Sequence, residues 1–100
     1  MKNTRKKIIK NNFPYKFYLC WWIDPTSDSA WQDIEEIKKQ DVGHCVTSGW
    51  LVSKTKNKYK FVGDIIINDD DTITQAGNST VIPASNIIEL VEIKECQKYY

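Results

Sequence analysis

Residues 58–67 read KYKFVGDIII, and this stretch decides the predicted fold class. From Tyr59 to Ile67 every second residue is apolar or glycine, and the intervening positions include Lys58 and Lys60. Alternation with a period of two places successive side chains on opposite faces of a strand, one covered and one solvated. The stretch is therefore predicted to be a β-strand of a half-buried sheet.

Four more segments have the apolar, aromatic and β-branched composition of strands. The first of them, FPYKFYLCWWI, is apolar on both faces and needs cover on both. Gly49, inside the second, indicates a bulge or the close approach of another backbone. These predicted strands are residues 13–23, residues 44–53, a part of 72–82 interrupted at Gly77-Asn78, and residues 87–93.

A short amphipathic helix is predicted between the first two strands, over residues 29–40. A capping box begins at Ser29, and Trp31 belongs to the apolar stripe. We expect this helix to cover one face of the first strand, with Trp22, Trp31 and Trp50 packed between the helix and the sheet.

The predicted order is a strand, a long loop with a helix, three meandering strands, one 3₁₀ turn at residues 83–86 and a last strand. This order predicts a mainly β protein with one short α-helix, a small five-stranded SH3-like barrel whose helix is inserted in the first long loop. We predict the domain at residues 13–95. It lies between a basic flexible N-terminal arm at residues 1–12 and a C-terminal tail at residues 96–100.

The closing segment IPASNIIEL, residues 82–90, resembles the end of SH3 domains, where a proline, a small polar residue and an asparagine form the 3₁₀ turn before the last strand. Over residues 15–93 the chain also resembles a group of small bacteriophage and prophage proteins without assigned function. That resemblance implies a phage-type accessory protein. It is carried by Trp22-Ile23-Asp24, Trp31, Ser48-Gly49-Trp50-Leu51 and the closing segment.

The three cysteines, Cys20, Cys45 and Cys96, are widely spaced and form no CxxC motif. Secreted disulfide scaffolds carry an even and denser set, so these residues are predicted to be reduced thiols, with Cys20 and Cys45 as small core residues. The N-terminus lacks the apolar stretch of a signal peptide, and no apolar run approaches the length of a membrane span. We predict a cytoplasmic protein, in the host cell if it is phage-encoded.

Groups suited to catalysis or metal binding are sparse. His44 is the only histidine, and on a strand it points to the face opposite that of Cys45. Asp69-Asp70-Asp71 lacks the ligand spacing of a calcium loop and is interpreted as a solvated turn. We therefore predict a protein that is not an enzyme and has neither a metal site nor a cofactor.

Charge is divided unevenly along the chain. Residues 1–16 contain six of the fourteen basic residues and no acidic one, so they carry +6 while the rest of the chain carries −5. A basic arm can contact phosphates, whereas an acidic body disfavours an extended nucleic-acid surface. One alternative function is therefore a nucleic-acid-binding small β-barrel with exposed aromatics. Its predicted contact residues are Lys2, Arg5, Lys6, Lys7, Lys10, Lys58 and Lys60.

The four tryptophans and five tyrosines give the best remaining indication of function, because such side chains are favoured in protein interfaces. We predict a small binding protein that acts through protein–protein interaction, with an inhibitor of a host defence protein as one concrete form. The predicted partner is a host or phage protein, or a second copy in a homo-oligomer. The predicted binding residues are Tyr18, Trp21, Trp50 and Tyr59.

Overall fold

A computed structural model of the chain describes residues 13–25 and 27–94. It confirms the predicted fold class, a mainly β protein with five antiparallel strands and one short helix in the first long connection. The predicted N-terminal arm, residues 1–12, lies outside the described residues, as does Cys96. The elements are β1 (Lys16–Asp24), α1 (Ile34–Lys38), β2 (Gly43–Lys54), β3 (Lys58–Ile67), β4 (Ile73–Pro83), a 3₁₀ turn (Ala84–Asn86) and β5 (Ile87–Glu92).

The five strands form one sheet in the order β4-β3-β2-β1-β5. The strand β2 serves both halves of this sheet: residues 43–51 pair with β1, and the stretch from Trp50 to Lys54 pairs with β3. A bulge between Leu51 and Ser53 marks the change of partner, and bulges bend a strand. Among the described residues β4 and β5 are not paired with each other, so the fold is barrel-like but the sheet is not closed.

The core consists of three fully buried side chains on three strands, Cys20 on β1, Phe61 on β3 and Ile82 on β4. The face of the sheet that carries them is called the inner face here, and the opposite one the outer face. The Trp22 indole Nε1 donates a hydrogen bond of 2.9 Å to Thr47 Oγ1 on this face. The partly buried side chains around the core are Tyr18, Trp22, Leu51, Tyr59, Ile87 and Leu90.

Gly49 marks the closest approach of two backbones in this core. It lies buried opposite Tyr18, and a Cβ atom at this position would be 2.8 Å from the carbonyl oxygen of Val62. Real Cβ atoms do not come so close to a backbone oxygen. The close approach predicted from the sequence is therefore confirmed, and the missing side chain of Gly49 is what lets the backbones of β2 and β3 lie this close together.

The helix predicted at residues 29–40 is present, but it begins later and is much shorter than predicted. Only five residues, Ile34–Lys38, are helical, and none of them is buried. The capping box does not form, because the Asp28 carboxylate instead accepts hydrogen bonds from the backbone of Ala30 and the side chain of Gln32. Such aspartate turns compete with helix formation, so the helix starts later and stays short.

The expected packing of this helix on the first strand is wrong as well. Trp31 is fully exposed, and Ile34 and Ile37 are more than 45% exposed. A five-residue helix presents little more than one turn of apolar surface, too little to hold it against a sheet.

The second half of the chain follows the sequence pattern more closely. The predicted interruption of the fourth strand is wrong: β4 runs through Gly77-Asn78 and keeps its register with β3, although Asn78 has a positive φ of 53° that asparagine tolerates. The residues Asp69–Asp71 form the tip of the β3–β4 hairpin, as predicted for a turn. The predicted 3₁₀ turn is confirmed, and the Asn86 Nδ2 atom donates to the Ile23 carbonyl at 3.0 Å, which ties the turn to β1.

Candidate functional site

The most unusual surface of the protein is the outer face of β5, β1 and β2. The register of the strands places Trp21 between Val46 on β2 and Glu89 on β5. By the same register Leu19 lies beside Val91. Trp21 is 44% exposed, Val46 50% and Val91 36%, while Leu19 is half-buried. The four apolar side chains Leu19, Trp21, Val46 and Val91 are called the outer strip here.

Aromatic rings close one end of the outer strip. Phe17 lies opposite Trp50, and their ring centroids are 5.2 Å apart in an edge-to-face arrangement. The ring centroid of Phe13 lies 5.7 Å from that of Trp50 and 6.3 Å from that of Tyr15. All four rings are half-buried. Trp50 thus packs against two neighbouring rings at this end of the outer face.

The four binding residues predicted from the sequence lie on two different faces. Trp21 and Trp50 lie on the outer face. Tyr18 and Tyr59 pack against the core on the inner face, and the ammonium of Lys54 lies 5.2 Å from the centre of the Tyr59 ring. The structure therefore brings Trp21 and Trp50 onto one surface and separates them from the two tyrosines.

Sequence reasoning missed Val46 and Val91 as members of the exposed surface. Their signal is weak, because a valine on a strand is ordinarily a core residue. The pairing of Val46 with Trp21 and of Val91 with Leu19 is what exposes them together, and pairing register is not visible in one sequence.

A second apolar surface lies in the connection between β1 and β2. It consists of side chains that do not belong to the core cluster and are mostly solvated. The ion pairs Lys38–Glu35 at 3.1 Å and Lys39–Glu36 at 3.6 Å are exposed, and such pairs stabilise a helix only slightly. The exposed apolar residues of this connection are Trp31, Ile34, Ile37 and Val42.

The basic residues predicted for nucleic-acid binding are placed only in part. Lys58 and Lys60 are exposed on β3, where Lys60 lies opposite Val81 of β4 and Ser53 of β2. The remaining five predicted residues, Lys2, Arg5, Lys6, Lys7 and Lys10, lie outside the described residues. The described strands thus carry two of the seven predicted contact residues, and the nucleic-acid interpretation stays a prediction.

His44 and Cys45 lie on opposite faces of β2, since His44 is opposite Ile23 on the outer face and Cys45 is opposite Trp22 on the inner face. They do not form a nucleophile and base pair. Burial raises the pKa of the Cys20 thiol, which keeps it in the neutral form that a small core residue requires. Within residues 13–25 and 27–94, no three histidine, cysteine or acidic side chains are grouped so that they could hold a metal ion.

Fold and surface together define a class: a small antiparallel β protein with an unclosed, barrel-like sheet and an exposed apolar strip on its outer face. In comparisons with known proteins, no family model, no curated protein and no solved structure matches the chain. In the part of the chain that the structure describes, no helix has the length and apolar character needed to cross a membrane.

Proposed function

We propose that this protein is a small protein-interaction module that binds a protein partner through the outer strip. One observation carries the proposal. Leu19, Trp21, Val46 and Val91 lie side by side on three paired strands, and the last three are between 36% and 50% exposed. The solvated face of an antiparallel sheet is ordinarily polar, so a contiguous apolar strip on it is typical of an interaction site.

The arrangement around Trp21 also has the form of an interface centre. A large aromatic ring lies in the middle of the strip, and polar groups surround it: Glu89 beside it, and Ser48 and His44 on β2. Energetically dominant interface residues are enriched in tryptophan and lie at the centre of a patch with a polar rim. We therefore assign Trp21 as the anchor residue for the partner.

The resemblance to small phage and prophage proteins favours one biological form of this function. In this form the protein is a phage accessory protein that binds a host protein, such as a component of a defence system, and blocks it. The observation that supports binding is the outer strip, and the resemblance alone supports the host target.

The experiment is a pull-down with the tagged full-length protein from a host lysate at moderate salt, with mass spectrometry of the proteins that co-purify. The wild type is compared with Trp21→Ala and with the matched control Trp31→Ala, which removes an exposed tryptophan outside the strip. We expect one stoichiometric partner that Trp31→Ala retains and Trp21→Ala loses, with affinity reduced about 30-fold or more, as for a central tryptophan. A partner lost only with Trp31→Ala would place the site in the β1–β2 connection and contradict the proposal.

The same eluate tests the nucleic-acid alternative through its absorbance at 260 nm. A signal that nuclease removes and raised salt abolishes would favour that alternative, because phosphate contacts weaken steeply with salt. A protein partner that survives raised salt would favour the outer strip, whose contacts are apolar.

A further inference from the structure

Among the described residues β5 is paired on one side only, with β1, and hydrogen bonding shows which backbone groups point to the paired and which to the unpaired side. The amide of Ile93 donates to the carbonyl of Phe17 at 2.8 Å, in the same register in which Glu92 lies opposite Tyr18. In an antiparallel pair, hydrogen-bonded and non-hydrogen-bonded positions alternate. The N–H and C=O groups of Leu90 and Glu92 therefore point away from β1, toward the free edge.

The other free edge of the sheet, on β4, is protected. The Ala84 amide donates to the Asn57 carbonyl at 2.8 Å, so the same alternation turns Val81 and Pro83 outward. Pro83 has no N–H to offer to another strand, and Asn78, with its positive φ, breaks the regular edge further along. A second strand cannot be added to β4 over its length.

The edge of β5, Ile87–Glu92, has one protecting feature, a bulge at Ile88 near its start, and is regular from Glu89 to Glu92. This stretch contains no proline and no residue with a positive φ, and Ile88 is 58% exposed. The charge of Glu92 is neutralised by Lys16 and Lys94, each 3.6 Å from its carboxylate. Charged side chains and prolines are the usual means of keeping an edge strand unpaired, and this edge lacks an uncompensated charge at its outward positions.

We propose that the free edge of β5 pairs with β5 of a second copy of this chain, antiparallel about a two-fold axis. Two identical strands in this arrangement are self-complementary, because the outward groups of Leu90 and Glu92 in one copy meet the same groups in the other. Pairing at matching positions also keeps Val91 on the outer face in both copies.

Such pairing joins the outer strips of the two copies into one surface across six strands. Three strands and nine residues give the outer face of one copy a projected footprint of about 14 Å by about 30 Å, or about 400 Å². A standard protein interface buries about 800 Å² on each partner. The outer face of one copy is about half of this area, and the joined face of two copies matches it. This area argument rests on the proposed function, whereas the hydrogen-bond argument does not.

Two further properties of the chain favour a second copy over a different partner at this edge. The core has only three fully buried side chains, and small cores gain from added buried surface. The chain is also electrostatically self-complementary, since residues 1–16 carry +6 and the remainder −5.

The test is sedimentation velocity of the full-length protein over a range of concentrations, for the wild type, Glu92→Pro and the matched control Glu92→Gln. Both substitutions remove the charge of Glu92, but only proline removes the outward N–H. We expect a wild-type dimer, a dimer for Glu92→Gln, and for Glu92→Pro a dissociation constant raised about ten-fold or more. Circular dichroism confirms that the variants are folded.

A wild type that stays monomeric, or a folded Glu92→Pro that dimerises like the wild type, would overturn the inference. Equal loss of the dimer in both variants would also overturn it, because charge and not edge pairing would then be responsible. If Glu92→Pro fails to fold, Ile88→Lys replaces it, since a lysine on an edge strand blocks strand addition. Trp21→Ala separates the two proposals: it lowers partner capture and leaves the dimer intact.

Discussion

The two faces of β1 contain the same kinds of residue and have different environments. On the inner face Cys20 is fully buried, and Trp22 is half-buried and hydrogen-bonded to Thr47. On the outer face, one residue away, Trp21 is 44% exposed. The inner face is covered because β3 and β4 bring Phe61 and Ile82 onto it. The outer face is covered at one end, where Phe13 packs on Trp50 and the neighbouring Val62 is buried, but among the described residues Trp21 has no such cover. A strand that is apolar on both faces thus uses one face for the core, and our proposal assigns the exposed side chains of the other face to a partner.

The largest effect is expected from the inner face, for Phe61→Ala. Removing a fully buried aromatic ring costs about 3–5 kcal/mol of unfolding free energy. A domain of this size has a total stability of about 5 kcal/mol, so about 0–2 kcal/mol should remain and the variant should be partly unfolded at 37 °C. Urea denaturation followed by tryptophan fluorescence measures this loss. A change below about 1 kcal/mol would show that Phe61 is not central to the core.

The next effect is expected at Gly49, where the inner face is tightest. A methyl group there meets the Val62 carbonyl oxygen at 2.8 Å, so Gly49→Ala forces the backbones of β2 and β3 apart. Overpacking of this kind costs about 1–3 kcal/mol. Gly77→Ala is the matched control, because no atom lies within 4 Å of its added methyl group, and it should stay within about 0.5 kcal/mol of the wild type. Equal losses in both variants would mean that the contact between β2 and β3 at Gly49 is looser than the structure indicates.

A smaller effect is expected for Cys20→Ser, which places a hydroxyl in the apolar core. Burying an unpartnered hydroxyl costs about 1–3 kcal/mol, toward the lower end because the change in volume is small. Cys45→Ser, at a half-buried position, should cost less. Urea denaturation at neutral pH measures both variants. A Cys45→Ser loss larger than that of Cys20→Ser would contradict the placement of the core.

The pH dependence of this difference gives an independent check. Burial raises the pKa of the Cys20 thiol in the folded protein above its value in the unfolded chain. The stabilisation by the neutral thiol is therefore complete below the unfolded pKa and is lost as the pH rises through the folded pKa. Serine does not titrate in this range, so the advantage of the wild type over Cys20→Ser should shrink at alkaline pH. A constant difference would show that the thiol is solvated.

The strands could be predicted closely from the sequence because their signals are local. The predicted third strand, residues 58–67, matches the bounds of β3, and the 3₁₀ turn lies where its proline and asparagine indicated. The length of the helix was predicted wrongly. Its signal was also local, but a longer helix would have needed its apolar side chains to pack on the sheet, and these side chains are exposed. The exposed surface could be predicted only in part. Trp21 was predicted from its residue type, whereas Val46 lies beside it only because of the pairing register of β1 and β2, which the sequence does not show.

The smallest expected effect on stability is that of Trp21→Ala on the outer face. Because the ring is 44% exposed in a single copy, its removal should cost less than about 1.5 kcal/mol, and Trp31→Ala, at a fully exposed position, should stay within about 0.5 kcal/mol of the wild type. Urea denaturation of both variants measures the difference. If Trp21→Ala is as destabilising as Phe61→Ala, the outer face is covered in solution, and the contrast between the two faces of β1 no longer holds. If that loss also grows with protein concentration, the cover is a second copy that binds face to face instead of edge to edge, because only the stability of an oligomer depends on concentration.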